Sequence, residues 1–536
     1  MSRPNPAILL GFFVAVIVVM LGAALAKGGF YMNRHEGDVM HLADIVLRMA
    51  DGEWPHLDFM TPLGVLSFQP IVIFIKFGFG LGHSILLSQG LVAVALLPAI
   101  WWVAVTRLPA SVAYGFGLIS LVMVTALLHG EAVAAVSISM HYNRWAWVIS
   151  FVAILTAMLE PAGRRSHTID GVVIGLALAA LAMIKMTFFV AFVLPVAIAL
   201  LRHKAYRTIM ITAAAGLAVA AVYTAFAGFD FWLAYLGDLL AVSGSEGRPY
   251  PTNPLAGVIG QPAYLGATVM LFMSVIFLRR ARCEIDGLVL LLLAPGFFFV
   301  TYQNFANDPQ WLLLLGIILF SCGLQYQGGG TEERTNLIVS GFIVLTLASP
   351  SFTNLFFSPF RHFVTVEEEF TEMIPGNLAH QDMRVHKMRA YRYQTIVKHP
   401  FEPNGLDKWD EFADWEEPDI LNGEELAYCT LDVGMSAWFD VAARDLEQAG
   451  LGGKALFNAD IFNSFWLYGD FKRLPHAAPW YYNGLPGIEN ADYIVVPICP
   501  ISLSSRSSVL AEIIETGLQL TEVRRTGLYI LLEPEK

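Results

Sequence analysis

The chain has 536 residues, 56% of them hydrophobic and 15% charged, with a formal net charge of −12. That is too apolar for an ordinary soluble domain, and no basic tract offers a footprint for nucleic acid. The four cysteines, Cys283, Cys322, Cys429 and Cys499, have no metal-motif spacing; Cys429 and Cys499 share one polar region and could be bridged if it is extracytoplasmic.

Residues 7–26 form the first apolar run. It is longer than a signal-peptide core and leads into further apolar segments, so it reads as a retained first helix. Residues 33–63 then carry Glu36, Asp38, His41, Asp44, Arg48, Asp51, Glu53, His56 and Asp58. A plain connector between two spans needs far fewer ionisable groups. Asp38, His41, Asp44, Arg48 and Asp51 recur every three or four positions among Val39, Leu42, Ala43, Val46, Met49 and Ala50. This is a helix with one narrow polar stripe, suited to lying in the membrane interface. Asn33 is placed to cap it, Glu36 and Asp38 fall in its first turn, and Gly52 marks its stop.

Further apolar segments lie near 63–82, 84–106, 109–128, 144–159, 169–184, 187–201, 208–227, 263–279, 285–302, 309–326 and 335–350. About 20 apolar residues cross a bilayer core. Between them stand Arg107; Arg164 and Arg165; Arg202, Lys204 and Arg207; Arg279, Arg280 and Arg282; and Arg334. The positive-inside tendency puts these loops in the cytoplasm. The loops 129–143, 228–262 and 303–308, the stretch 33–63 and everything after about residue 350 then fall outside. Segment 63–82, with Lys76, Gly78, Gly80 and Gly82, breaks the parity: either it is re-entrant or irregular, or the Arg107 loop is outside.

The chain thus divides into a membrane part, 1–350, with an acidic outer loop at 27–62, a charged segment of interface helices and linker at 351–425, and a soluble α/β domain at 426–536. In the last, 454–458, 493–497 and 527–532 read as strands and 436–449 and 507–516 as helices. No G-x-G-x-x-G or P-loop occurs there, so nothing points to a nucleotide.

The order of these features resembles the GT-C superfamily, multi-span glycosyltransferases that use polyprenyl-phosphate sugars. The motifs are Glu36-Gly37-Asp38, then Gly52-Glu53-Trp54-Pro55-His56-Leu57-Asp58-Phe59, then Pro62-Leu63-Gly64. Tyr142-Asn143-Arg144, at the mouth of a helix, and Ile184-Lys185-Met186-Thr187, which alone reads as mid-membrane, match more weakly. The resemblance implies an α-helical polytopic protein of the bacterial inner (plasma) membrane, with about 11–13 transmembrane helices and an extracytoplasmic α/β domain at its C-terminus. It also implies that a carboxylate of the first outer loop acts as, or orients, the base for the acceptor. Asp38 is the better positional match and Glu36 its helper. Many members have adjacent Asp and Glu, whereas here Gly37 separates the two acids.

Sugar transfer from a lipid phosphate requires a base near the acceptor hydroxyl and cations near the departing phosphate. Arg144, Lys185 and Lys76 are the candidate cations, with Tyr142 and Asn143 beside Arg144 in the substrate site. Interfacial anchoring explains Arg144 equally well, and snorkelling from a short helix end explains Lys185. His56 and Asp58 could join the site or bind a metal with Asp38; a loop pair fixing a turn is the alternative. Glu131 near His129, and Asn304, Asn307 and Asp308, are polar groups at outer helix ends that could line an acceptor cavity. The expectation is a transferase without a cofactor, a divalent metal being possible but not favoured. It would move a hexosyl or pentosyl group from a polyprenyl-phosphate donor to an envelope glycan, lipid or protein acceptor. The rivals are a flippase for lipid-linked glycans and a non-catalytic subunit of an envelope complex.

Overall fold

The computed structural model describes residues 3–163, 165–245, 258, 262–303, 309–326, 331–392, 394–397 and 418–535. The expectations for Arg164, Asn304, Asn307, Asp308 and most of 398–419 lie outside the described residues. In chain order come α1 (Pro6–Leu25), β1 (Phe30–Met32), α2 (Glu36–Ala50), α3 (Gln69–Lys76), α4 (Leu81–Arg107), α5 (Ala110–Thr125), α6 (His141–Met158), α7 (His167–Ile184), α8 (Met186–Arg202), α9 (Tyr206–Ala227) and α10 (Asp230–Ser243). They are followed by α11 (Pro262–Arg280), α12 (Glu284–Gln303), α13 (Trp311–Gln325) and α14 (Thr331–Phe363). Asn5 caps α1 by accepting from the Ala7 and Ile8 amides, with Pro6 in the first turn where its missing N–H does no harm.

Side-chain bonds sort the helix termini into two ends. At one, Trp101 of α4 donates to the Pro6 carbonyl, Trp102 to Asp170 of α7, and Gln325 of α13 to the Arg107 carbonyl. At the other, Gln310 donates to the His129 carbonyl, Arg361 of α14 to the Ala135 carbonyl, and His83 of α4 to Asp382. Among the described residues six helices, α1, α4, α7, α9, α12 and α14, are long and apolar enough to cross a membrane, and α5, α8 and α13 are shorter apolar helices. This is a multi-pass helical membrane protein.

Helix α3 has 8 residues, about 12 Å against a bilayer core of about 30 Å. The flanks of α3 sit at the same end: the Gly64 amide donates to the Ile184 carbonyl and the His83 amide to Asp382. It cannot cross, so the irregular alternative for 63–82 is the observed one, and Arg107 keeps company with the other basic loops. The last long helix, expected to stop at 350, runs through Pro350 and Pro359 to Phe363. The helix thus outruns residue 350, and at 33 residues, about 50 Å, it is longer than a bilayer core is thick.

Beyond α14, β2 (Phe370–Glu372) and β3 (Met383–His386) form a sheet with β1, in which β1 and β3 are parallel. A short helix, α15 (Lys387–Ala390), precedes β4 (Gln394–Val397), which pairs with β7 (Cys429–Val433), while β5 (Ile420–Leu421) and β6 (Glu424–Glu425) form a small hairpin. The last domain contains α16 (Met435–Gln448), β8 (Leu456–Asn458), β9 (Tyr493–Pro497), α17 (Leu503–Thr516), β10 (Leu520–Arg525) and β11 (Tyr529–Pro534). Its sheet order is β10-β11-β9-β8, with β8 and β9 parallel. Cys429 and Cys499 are disulfide-bonded, their Cα atoms 4.9 Å apart.

One apolar core fills the helix bundle. A second joins Val39, Ile45 and Val46 of α2 to Trp438, Phe439 and Phe465 of the C-terminal domain. The expected interfacial setting of α2 is therefore corrected. Its polar stripe faces protein: Asp44 is 0% and Arg48 1% exposed. Asp44 accepts from Arg48 at 2.6 Å, Ser464 at 2.9 Å and Trp466 at 3.0 Å, and Arg48 also reaches Glu53 at 3.0 Å. A buried pair of this kind survives only where such extra bonds satisfy both charges.

Candidate active site

Helix α2 starts where expected, but Asn33 does not cap it. His35 occupies the cap position with a left-handed backbone (φ 64°) and no capping side-chain bond. Asn33 instead exchanges two bonds with Val136, at 2.9 and 3.1 Å, and so fastens the loop 126–140 over the start of α2. Met140 (φ 48°) and His56 (φ 73°) are also left-handed in this region. Such non-glycine residues store strain and gather where the surrounding fold over-determines them.

That loop reaches the two acids differently. Ser139 donates to Asp38 Oδ2 at 2.7 Å, and Asp38 stays half-buried in the first turn of α2. Glu36 is 5% exposed and is gripped by Arg389 of α15, whose Nε lies 3.0 Å from both carboxylate oxygens and whose Nη2 lies 2.7 Å from one of them. Glu36 thus ties the C-terminal segment to α2. Both motif acids are at this end of the bundle, with different work.

Four residues beyond Ser139, Asn143 in the first turn of α6 accepts from Lys185 Nζ at 3.3 Å, and Lys185 also lies 5.6 Å from the Tyr142 ring centroid. Lys185 is not in mid-helix. It is the extended residue between α7 and α8, and that break is held by the motif glycine: Gly64 N–H and Ser67 Oγ both donate to the Ile184 carbonyl, at 3.0 and 2.8 Å. A Cβ at position 64 would collide with the Met183 carbonyl. His141 Nε2 lies 2.9 Å from the Ser67 carbonyl, joining the same loop to the start of α6. Four residues of chain span about 14 Å at most, so Asp38 and Lys185 are anchored to Ser139 and Asn143, two nearby points of one loop and helix start.

Arg144 is placed elsewhere. It is 0% exposed and donates to the Met123 and Val124 carbonyls at 2.6 and 3.3 Å. It closes the C-terminal end of α5. Lys76 is exposed at the end of α3. His56 bonds Asp238 of α10 at 2.8 Å and stacks on Tyr235 at 4.3 Å. Asp58 accepts from the Trp54 amide at 2.6 Å, closing its own turn. The two fix the motif loop between α10 and the C-terminal domain, where the Asp58 carbonyl accepts from the His476 amide.

Another set of side chains converges. One ligand atom each from His35, His129 and Glu131 lies within 4.8 Å of the others, an arrangement that could hold a divalent ion. Burial lowers His35 to about 4 and His129 to about 3, the latter helped by its His35 neighbour, so both rings are neutral near pH 7. His35 also bonds Ser137 at 3.1 Å, and Arg34 pairs with Glu131 at 3.4 Å. Neither Ser139 nor Arg389 stands out in the sequence as a partner of the two acids. Arg389 is 353 positions from its partner, and no local spacing marks it.

No protein-family model matches the chain, and no curated protein matches its sequence. Among solved structures it is similar to ArnT from Cupriavidus metallidurans in the apo state, with a TM-score of 0.37 and 11% identity, over 97% of this chain and 96% of that one.

Proposed function

We propose that this chain is a GT-C-type membrane glycosyltransferase of the bacterial inner membrane, acting at the outer face on a polyprenyl-phosphate sugar. The observation that carries this reading is the pairing of a half-buried carboxylate, Asp38, with a cation, Lys185, at one end of the bundle through the Ser139–Asn143 segment. Asp38 takes the proton of an acceptor hydroxyl as that oxygen attacks the anomeric carbon. The bond from that carbon to the phosphate oxygen breaks, and the polyprenyl phosphate leaves with its negative charge beside Lys185 and the N-terminus of α6. Direct attack of this kind inverts the sugar. Tyr142 and Asn143 hold Lys185, while His56 and Asp58 hold the motif loop. The reaction as written needs no cofactor.

An apolar cavity of about 400 Å³ between α7, α8 and α9 is lined by Leu178, Ala182, Met183, Phe189 and Val193. It begins two residues from Lys185, where a polyprenyl tail could lie while its phosphate meets the lysine. The orientation is supported by chemistry at both ends. The basic clusters gather at one end; the disulfide belongs to the domain at the other, as suits an oxidising compartment. A polyprenyl phosphate with a photoreactive group near its phosphate should label residues 139–143 and 183–187. Labelling confined to the opposite end would contradict the site.

A further inference from the structure

At the Arg-rich end, away from Asp38, two thiols and a carboxylate stand together with no role in the proposed transfer. Cys283 precedes the first residue of α12, Asp286 lies in that helix's first turn, and Cys322 is in α13. One ligand atom from each lies within 4.8 Å of the others, and Cys322 Sγ is 3.9 Å from Asp286 Oδ2. Arg282, just before Cys283, has a left-handed backbone (φ 60°), which turns the chain into α12. A polar cavity of about 550 Å³ opens on the cluster and includes Glu160, His203, Arg282 and Tyr326. Glu160 is held at its rim by His203 at 3.3 Å.

Among the described residues no basic side chain pairs with Asp286. Two thiols and a carboxylate converging at one cavity are the donor set that a borderline-soft divalent cation takes. We propose that Cys283, Asp286 and Cys322 bind one thiophilic divalent cation of the zinc class. Tetrahedral zinc at about 2.3 Å from each sulfur sets its ligand atoms about 3.8 Å apart, so the observed cluster needs to contract only modestly. Binding converts two thiols to thiolates and releases their protons through the cavity. Two thiolates, one carboxylate and a dication sum to one negative charge, which Arg282 at the rim offsets. The cavity offers room for a fourth ligand, with Glu160 in its lining. The ion links the start of α12 to the end of α13. This proposal does not depend on the glycosyl-transfer reading; it requires only that this end face a reducing compartment.

The test uses the full chain purified in detergent with a reductant and no chelator. Elemental analysis should find one zinc per chain, and cobalt exchanged into the unsubstituted protein should give a thiolate-to-metal charge-transfer band. Zinc should also protect Cys283 and Cys322 from alkylation, a readout that needs no variant. Cys283→Ser and Cys322→Ser should each lose the band, and Asp286→Asn should hold zinc less tightly. A protein that stays zinc-free after incubation with the metal would overturn the proposal. So would a cobalt spectrum without the thiolate band, or recovery of the two thiols as a Cys283–Cys322 disulfide under reducing conditions.

Discussion

Asp38→Asn separates catalysis from structure at one atom. The Ser139 hydroxyl lies 2.7 Å from Asp38 Oδ2, and an asparagine oxygen can still accept that bond. Changing it from charge-assisted to neutral costs about 1 kcal/mol. Losing the negative charge in the first turn of α2 costs about 0.3–1 kcal/mol more. The variant should therefore fold, insert and unfold with a stability change of about 1–2 kcal/mol. Loss of a positioned base slows the chemical step by roughly 10²–10⁴, or about 3–5 kcal/mol of barrier. The assay is single-turnover transfer from a labelled polyprenyl-phosphate sugar, with thermal unfolding measured on the same sample. A variant that transfers within about tenfold of the unsubstituted rate would refute Asp38 as the base.

Glu36→Gln should slow transfer less than Asp38→Asn, and a double-mutant cycle with Arg389→Gln should return a coupling of about 1–3 kcal/mol in stability. Arg48→Met leaves Asp44 buried without its cation and should cost about 3–5 kcal/mol, read by thermal unfolding. Lys185→Gln should raise the donor KM while leaving unfolding nearly unchanged; Arg144→Gln should do the reverse, lowering folded yield because the α5 carbonyls lose their donor. A reporter active only in the cytoplasm, fused after Lys536, should be silent; strong signal would reverse the orientation.

How much of this was readable from residues depends on distance along the chain. The limits of α2 follow from its own 3.6-residue period, and its final residue, Ala50, precedes Gly52 by two positions. Its surroundings do not follow, because a narrow polar stripe looks the same whether it meets headgroups or a domain. Here the partner, Ser464, comes 420 residues later. Arg144 and Lys185 are both isolated cations in apolar sequence; what separates them is the end of α5, which only packing brings to Arg144. In the last domain β8, β9, β11 and both helices lie near their expected places. The strand β10 was missed because Leu520–Arg525 is an exposed edge with polar Thr521, Glu522, Arg524 and Arg525, the composition that keeps an edge from pairing with other chains.

The central claim is that a glycosyl bond is broken and remade at the end of the bundle that holds Asp38. The most direct measurement reconstitutes the purified chain in vesicles with a polyprenyl-phosphate sugar carrying separate labels on sugar and lipid, together with an envelope acceptor fraction. Transfer should yield sugar-labelled acceptor and an equal amount of free polyprenyl phosphate, and Asp38→Asn should slow both by roughly 10²–10⁴. Movement of the doubly labelled lipid across the bilayer with both labels still joined would contradict the account and make the chain a transporter.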